Sequence, residues 1–193
     1  MEAEDVKTCL EVVKTRLCNE STSLTAIKAI QILASSPDSE LSNGYCCTFL
    51  PPVLEQVSQL LLKNQRNLRL ASLHCLHTSW SCKASLLLST TGDCQNALQT
   101  CISNILHELP QLINDSELLT AQLSIQLAVI LFKLADPKHP QLTEKLEHLL
   151  SSDAMLGALE TLSLSPLLQG SAQQHTVHQL MFEVASLCLV DPF

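Results

Sequence analysis

Aromatic residues and glycine are scarce in this sequence. Only 3% of the 193 residues are aromatic and only 4 are glycine, while Leu, Ala, Ser, Gln and Glu dominate. Sandwiches and barrels use aromatic and β-branched residues in their strands, whereas this composition is rich in helix-forming residues. Because 46% of the residues are hydrophobic, the chain can bury a sizeable core. The sequence therefore predicts an all-α fold.

Basic residues are also few. The chain has 11 Lys and Arg against 19 Asp and Glu, a formal net charge of -8, which disfavours nucleic acid as a partner. The opening MEAEDVKTCLEVVK is acidic and amphipathic and does not resemble a secretory signal. We therefore expect an intracellular protein, located in the cytoplasm and nucleus. The most apolar run, 118–134, is interrupted by polar residues and predicts a buried helix rather than a membrane span.

Sequence motifs for catalysis are missing. No glycine-rich phosphate loop, strand-to-helix nucleophile elbow or His-Glu-x-x-His segment occurs. We therefore expect no enzyme activity, catalytic residue, cofactor or small-molecule substrate. The 9 cysteines are odd in number and irregularly spaced, which indicates free thiols in the core rather than a disulfide framework. A thiol enzyme stays open as an alternative and requires one unusually reactive cysteine.

Three groups of residues carry side chains of the kinds that bind metals or exchange protons. His74, Cys75, His77 and Cys82 are close in sequence, but Cys75 turns away from His74 on a helix, so we interpret them as surface histidines and core thiols without a metal. The adjacent Cys46 and Cys47 are interpreted as free thiols in a loop. The turn near residue 115 is surrounded by Glu108, Asp115 and Glu117, and helix capping and the helix dipole account for Asp115 and Glu117 without an acid-base role.

Hydrophobic periodicity predicts eight helices. The first carries a stripe of apolar residues: Val6, Cys9, Leu10, Val13 and Leu17. The second spans about 21–35 with Ser21 or Thr22 as its cap, the third begins at Pro51-Pro52, and the fourth begins near Asn67. The region 79–95 lies between the fourth and the fifth helix. The fifth helix covers about Asp93–Leu109 and is predicted to stop at Pro110. The sixth helix starts at NDSE, and the seventh covers 141–151. A short extra helix is a candidate at 154–162. The eighth helix ends with an apolar stripe: Val177, Leu180, Met181, Val184, Ala185 and Cys188.

The odd-numbered helices begin at a regular interval of roughly 45 residues, within the range of two-helix HEAT-type repeats. We therefore predict an all-α HEAT-type helical-hairpin solenoid of about four repeats, at approximately 1–47, 48–92, 93–137 and 138–193, forming a single array. The apolar stripe of the last helix further predicts that the array continues into a longer solenoid.

One basic stretch stands out against the acidic background. KNQRNLRLASLHCL, residues 63–76, places Lys63, Arg66 and Arg69 at the start of the fourth helix. Arg66 and Arg69 are three residues apart and project from the same side of that helix. These cations either pair with neighbouring repeats and set how the repeats stack, or bind an acidic partner. We favour stacking, and direct partner contact is the alternative.

Four runs resemble a known family: LTAIKAIQILASSP (24–37), LLKNQRNLRLASLHCL (61–76), ILHELPQLINDSELLTAQLSIQLAVILFKLA (105–135) and SPLLQGSA (165–172). In order and spacing they are similar to consecutive repeats of the cullin-associated, neddylation-dissociated proteins, HEAT-repeat exchange factors for cullin-RING ubiquitin ligases. The resemblance covers most of residues 20–190, an interior part of that solenoid. It implies a non-catalytic scaffold that binds unneddylated cullins and their RING subunit and promotes exchange of substrate receptors.

A different class of scaffold is the alternative function. The same helical pattern suits a generic HEAT-repeat protein, karyopherin-like or phosphatase-regulatory-like, that does not bind cullins. In both cases the expected partners are proteins, and nucleic acid, membranes and small molecules are not expected among them.

Overall fold

The computed structural model describes residues 3–35, 43–63, 65–134, 140–166 and 172–189. Every regular element in these ranges is helical, which confirms the all-α prediction. The helices are α1 (Ala3–Cys18), α2 (Glu20–Ser35), α3 (Asn43–Gln59), α4 (Arg66–Leu88), α5 (Asp93–Ile113), α6 (Leu118–Leu134), α7 (Pro140–Leu150), α8 (Asp153–Leu164) and α9 (Ala172–Leu189). A 3-10 turn, Leu60–Leu62, follows α3. The chain divides into two compact units, Met1–Glu108 and Leu109–Phe193.

In the first unit, α4 packs against α2 and α3, and α1 packs against the same two helices. The buried face of α4 mixes large and small side chains: Leu68, Ser72, Leu73, Cys75, Leu76, Ser79, Trp80, Lys83 and Leu87. Small residues at helical spacing let neighbouring helices approach closely, while Trp80, only 1% exposed, fills the largest volume. The unit is therefore organised around α4.

In the second unit, α6 packs against α7, α8 and α9. The middle of α6 is buried on most sides, polar side chains included: Thr120, Ala121, Gln122, Leu123, Ser124, Ile125, Leu127, Ala128, Val129 and Leu131. A helix with packed neighbours on several sides needs apolar residues on more than one face, which explains the apolar run in the sequence. The prediction of a buried helix at 118–134 is confirmed. Among the described helices, none has both the length and the hydropathy that a bilayer crossing requires.

Prolines do not mark the helix ends as the sequence predicted. α3 begins at Asn43, ahead of Pro51 and Pro52, and α5 continues past Pro110 to Ile113. An interior proline removes one backbone hydrogen bond and costs a helix ~3 kcal/mol or more. Core residues on both sides of each proline offset this cost, and they are Leu50, Val53, Leu109 and Leu112. The carbonyl of Pro110 then accepts a side-chain bond from Asn114 Nδ2 at 2.8 Å.

Two other local predictions are also wrong. The cap of α2 is Asn19, whose Oδ1 accepts from the backbone N of Ser21 at 3.0 Å, rather than Ser21 or Thr22. Most of the predicted connector at 79–95 is helical, because α4 continues to Leu88 through non-helical backbone angles at Lys83. The candidate short helix at 154–162 is confirmed as α8, with Ser152 Oγ accepting from Met155 N at 3.2 Å.

The predicted apolar stripes are partly buried. Leu17 of α1 is buried, but Cys9 is exposed, and the side chains of Val6 and Leu10 lie outside the described part of the chain. In α9, Val177, Leu180 and Val184 are buried. Met181 is half-buried and Ala185 exposed, while the side chain of Cys188 is not among those described. The repeat boundaries near residues 47, 92 and 137 stay a prediction.

Candidate protein-binding surface

The basic turn, defined as Lys63, Arg66 and Arg69, lies where the 3-10 turn gives way to α4. Lys63 adopts an extended conformation, φ -76 and ψ 141, and its backbone N donates to Leu60 O. The guanidinium of Arg69 reaches back and donates from Nη1 to the carbonyl of Lys63 at 3.4 Å. The three side chains are thus brought to one end of α4, with Lys63 and Arg66 exposed and Arg69 half-buried.

The charge around the basic turn is opposite in sign to that of the whole protein. Residues 41–92 contain four basic residues, the basic turn and Lys83, but a single acidic residue, Glu55. The first turn of α4 has no acidic side chain, and Gln65 at its N-cap makes no side-chain capping bond. Cations at a helix N-terminus oppose the helix dipole. The stretch is therefore not explained by the ordinary charge preference of a helix start, and both interpretations of it remain predictions.

The histidines and cysteines of α4 point in different directions. His74 is exposed and accepts at Nδ1 from Nε2 of Gln31 on α2, at 2.7 Å, whereas Cys75 is fully buried. Burial, with a smaller contribution from His74, lowers the pKa of His77. Cys82 is exposed, so the prediction of a core thiol there is wrong. Among the described residues, no three His, Cys, Asp or Glu side chains lie close enough to hold a metal ion.

Two core thiols are chemically passive. Burial raises the pKa of Cys75 to about 12 against the opposing hydrogen bond with Ser79, and it raises that of Cys101 to about 12 against the bond with Ser58. A thiolate is the nucleophilic form of cysteine. Neither residue therefore suits the role of a nucleophile near neutral pH.

The general prediction of buried thiols is nevertheless mostly wrong. Among the described side chains Cys9, Cys18 and Cys82 are exposed, and Cys47 and Cys94 are intermediate. Cys46 and Cys47 belong to α3 and not to a loop, because that helix starts at Asn43. Cysteine is small enough to occupy the outer face of a helix as readily as the core, so its apolar sequence neighbours do not determine its burial.

Of the carboxylates near residue 115, Asp115 accepts from a backbone N–H just ahead of α6, as the sequence predicted, whereas Glu117 accepts from a side-chain hydroxyl. Asp115 Oδ1 accepts from the backbone N of Glu117 at 2.9 Å, and Glu117 Oε2 accepts from Thr120 Oγ1 at 3.0 Å. Glu108 Oε1 lies 2.6 Å from Nδ1 of the exposed His107. These contacts satisfy the groups locally and form no acid-base pair of carboxylates.

Exposed apolar side chains are surface features that the sequence reasoning missed. Ile32 is 66% exposed, Leu164 65% and Phe182 74%. Phe182 was detectable, since it falls outside the buried α9 stripe of Val177, Leu180 and Val184. Large exposed apolar residues occur singly on many proteins, so each by itself identifies no interface.

Comparison with known proteins gives two informative relatives. The chain is 32% identical over 174 residues to cullin-associated NEDD8-dissociated protein 1 of Drosophila melanogaster, a match of 90% of this chain and 12% of that protein. It is 31% identical over 168 residues to the protein of the same name from Arabidopsis thaliana, a match of 87% of this chain and 12% of that protein. The chain thus spans about an eighth of the length of these relatives.

Other comparisons are less informative. No protein-family model matches the chain. A crystal structure of one engineered protein aligns over 92% of this chain and 97% of its own, with 13% identity and a TM-score of 0.35. A second engineered protein aligns over 94% of this chain and 99% of its own, with 14% identity and a TM-score of 0.39. The sequence relatives instead bear on the family. The resemblance drawn from the four sequence runs is confirmed: over about nine-tenths of its length, this chain is similar to a segment of cullin-associated NEDD8-dissociated protein 1.

Proposed function

We propose that this chain is a non-catalytic scaffold that binds a cullin. The observation that carries the proposal is the match of 90% and 87% of the chain to two proteins, from an insect and a plant, that are both named as cullin-associated. An all-α array of packed helices offers a broad surface and binds by shape and charge complementarity rather than by chemistry at one site. The passive thiols Cys75 and Cys101 agree with a role that does not involve catalysis.

We further propose that the preferred partner is an unneddylated cullin with its RING subunit, and that binding promotes exchange of substrate receptors. This finer proposal rests on the family resemblance. Because the chain spans 12% of its relatives' length, it supplies only part of the surface that such proteins carry. A specific complex buries roughly 1,200–2,000 Å², and part of a solenoid is large enough to contribute a share of that area.

The test is a pull-down of purified cullin–RING complexes, unneddylated and neddylated, on the immobilised chain. The full-length Drosophila relative serves as positive control, and circular dichroism establishes that the immobilised chain is helical. Retention of the unneddylated complex above the neddylated one supports the proposal in full, and equal retention of both supports cullin binding alone. Absence of retention by the folded chain, while the full-length relative retains the complex, rejects cullin binding by this chain.

The generic scaffold makes a different prediction in the same system. Affinity purification that enriches transport or phosphatase subunits without cullins would establish that alternative.

The basic turn is the surface for which we propose partner contact, as the alternative to a role in repeat stacking. Its support is the local excess of cations in residues 41–92 and the exposure of Lys63 and Arg66. An acidic region of a partner is the complementary surface.

A further inference from the structure

Two thiols meet at one junction of the first unit. Cys47 on α3 donates from Sγ to Leu86 O at 3.3 Å, and its Sγ lies 3.6 Å from Ser89 Oγ. Cys94, in the first turn of α5, donates from Sγ to Thr48 O at 3.8 Å. Thr48 directly follows Cys47, and Ser89 lies in the turn that leads to Cys94. Each thiol therefore touches the chain segment that carries the other.

The backbone makes a thiol donor useful at only one side of this junction. Pro52 has no N–H, so no regular helical bond to Thr48 O can come from that position. Leu86 O, in the last turn of α4, already accepts from Ser89 N at 3.2 Å and from Ser89 Oγ at 2.7 Å. A thiol is a weak donor, and serine or threonine would supply a stronger one at either place. Hydrogen bonding alone therefore does not account for two cysteines here.

Both thiols are also accessible to a small oxidant. Cys47 and Cys94 are half-buried, unlike the fully buried Cys75 and Cys101. The turn between α4 and α5 contains Gly92, which has a φ of +64 and open space around the position of a Cβ. A small rearrangement of this turn can thus bring the start of α5 closer to α3 without a clash at Gly92.

We propose that Cys47 and Cys94 form a reversible disulfide when the protein meets a peroxide. The Cys47 thiolate attacks one peroxide oxygen and the O–O bond breaks, which gives a sulfenic acid and, after protonation, one water. The Cys94 sulfur then attacks the sulfenic sulfur and displaces its oxygen as a second water. The two thiols together lose two electrons, the peroxide gains them, and a dithiol reductant reverses the reaction.

The order of the two steps follows from the surroundings of Cys94. Burial, then Asp93 and Cys47, raise the pKa of Cys94, and Lys14 opposes this only in part. A raised pKa leaves little Cys94 thiolate near neutral pH, so we assign the second step to Cys94. Its sensitivity to a charge on Cys47 also reflects the closeness of the two side chains.

The disulfide would close a loop that contains all of α4, because α4 lies between the two cysteines in the sequence. Cross-linking a loop of this size restricts the unfolded chain. We expect the oxidised protein to melt about 5–10 °C higher than the reduced protein. This inference does not depend on cullin binding.

The experiment treats the reduced full chain with a small excess of hydrogen peroxide at mildly alkaline pH, blocks the remaining thiols and maps peptides without reductant. Cys46 and Cys47 fall on one tryptic peptide, because no Lys or Arg separates them, so mapping is done in Cys46→Ser as well as in the parent. We expect a Cys47–Cys94 cross-link in both, with the rise in Tm. Cys47→Ser and Cys94→Ser should lose both effects, while Cys82→Ser, a change at an exposed thiol of α4, should keep them.

Three outcomes would overturn the proposal. One is a cross-link from Cys46 to Cys94 that disappears in Cys46→Ser. Another is separate oxidation of Cys47 and Cys94 to sulfinic acids in folded protein. The last is a predominance of disulfides between molecules through exposed cysteines such as Cys82. If the Cys46→Ser variant folds poorly, fragmentation of the cross-linked peptide from the parent chain assigns the bond to Cys46 or to Cys47.

Discussion

The first unit, residues 1–108, is rich in thiols and cations, whereas the second, residues 109–193, is acidic and has a single cysteine, Cys188. The first unit contains eight of the nine cysteines and eight of the 11 Lys and Arg residues, but about half of the acidic ones. The second has three basic residues against nine acidic ones. The overall charge of -8 thus arises mostly from the second unit, and a basic site is expected only in the first.

The central helices of the two units both bury small polar residues, but only the first buries a large aromatic residue beside them. In α4, Ser72 and Ser79 are buried with Trp80. In α6, Thr120 and Ser124 are buried among aliphatic residues of the same helix. Backbone carbonyls accept from the buried hydroxyls in both helices, from Ser79 Oγ at 2.8 Å and from Ser124 Oγ at 2.7 Å. We therefore expect the two units to differ most at the tryptophan, which buries the largest apolar side chain.

The largest expected effect is the loss of the tryptophan. Trp80→Ala should destabilise the protein by about 3–5 kcal/mol, since it removes a large side chain that is 1% exposed and leaves a cavity. In the second unit, the matched Leu127→Ala should cost about 2–5 kcal/mol. Urea denaturation measures both, with the exposed Phe182→Ala as control, expected within about 0.5 kcal/mol of the parent. A Trp80→Ala variant as stable as this control would contradict the central role of α4.

A hydroxyl in place of a core thiol tests the polar character of the first unit. Cys101→Ser should cost about 1–3 kcal/mol, because it buries a more polar group at a fully buried position. Maleimide should label Cys9, Cys18 and Cys82 rapidly and should reach Cys75 and Cys101 only on unfolding, because burial raises their pKa to about 12. Mass spectrometry of timed samples follows the labelling. Fast labelling of Cys101 in folded protein would revive the thiol-enzyme alternative.

Charge reversal separates the two interpretations of the basic turn. If Arg66 and Arg69 set repeat stacking, Arg66→Glu with Arg69→Glu should lower Tm by several degrees, on the order of 1–2 kcal/mol. If they bind a partner, Tm should hold and cullin retention should fall. The exposed Lys145→Glu in the acidic second unit is the control for net charge. Calorimetry measures Tm, and the pull-down measures cullin retention. If neither changes, the basic turn contributes neither to stacking nor to partner binding.

The first unit should also lose stability in mild acid through His77. Because burial and His74 hold the pKa of His77 below its ordinary 6.5, the unfolded chain binds the proton at a higher pH than the folded chain does. Stability from this source is complete above pH 6.5, falls as the pH drops below that value, and levels off below the folded pKa. His77→Gln should flatten this part of the profile, measured by urea denaturation at a series of pH values. A profile as steep as that of the parent would assign the loss to other groups.

The smallest effect is expected for an ion pair of the second unit. Lys133 Nζ lies 3.1 Å from Glu183 Oε2, but the lysine side chain is 50% exposed. Solvent screens such pairs, so Lys133→Ala should cost at most about 1 kcal/mol, and the cost should shrink in high salt. Thermal denaturation at two salt concentrations measures it. A larger, salt-insensitive loss would indicate that the lysine methylenes contribute through packing.

Helix positions were largely predictable because apolar residues recur with the period of a helix. The periodic segments of α2, α6 and α7 were found close to their observed positions. The start of α3 and the end of α5 were missed because proline was taken as a helix boundary. Burial of Leu50, Val53 and Leu109 stabilises the helix by more than the proline destabilises it. Cys82 was assigned to the core because cysteine behaves as a small hydrophobic residue, although burial depends on which face of α4 meets α2 and α3.

The candidate surface was predictable only in part. The cations of the basic turn are visible in the sequence, since charge excess over a segment can be counted directly. The bond from Arg69 Nη1 to Lys63 O was not, because it depends on how the 3-10 turn ends. The approach of Cys47 to the start of α5 was equally hidden. Two residues 47 positions apart in sequence meet only through tertiary structure.

The burial of the middle of α6 has a consequence for hydrogen exchange in heavy water. Its amide hydrogens lie inside a helix that has α7, α8 and α9 packed around it, so solvent reaches the middle of α6 only when the surrounding helices separate. Amides of this kind exchange through the largest opening available to their region. Deuterium uptake at residues 123–129 therefore reports the unfolding free energy of the second unit directly, without denaturant.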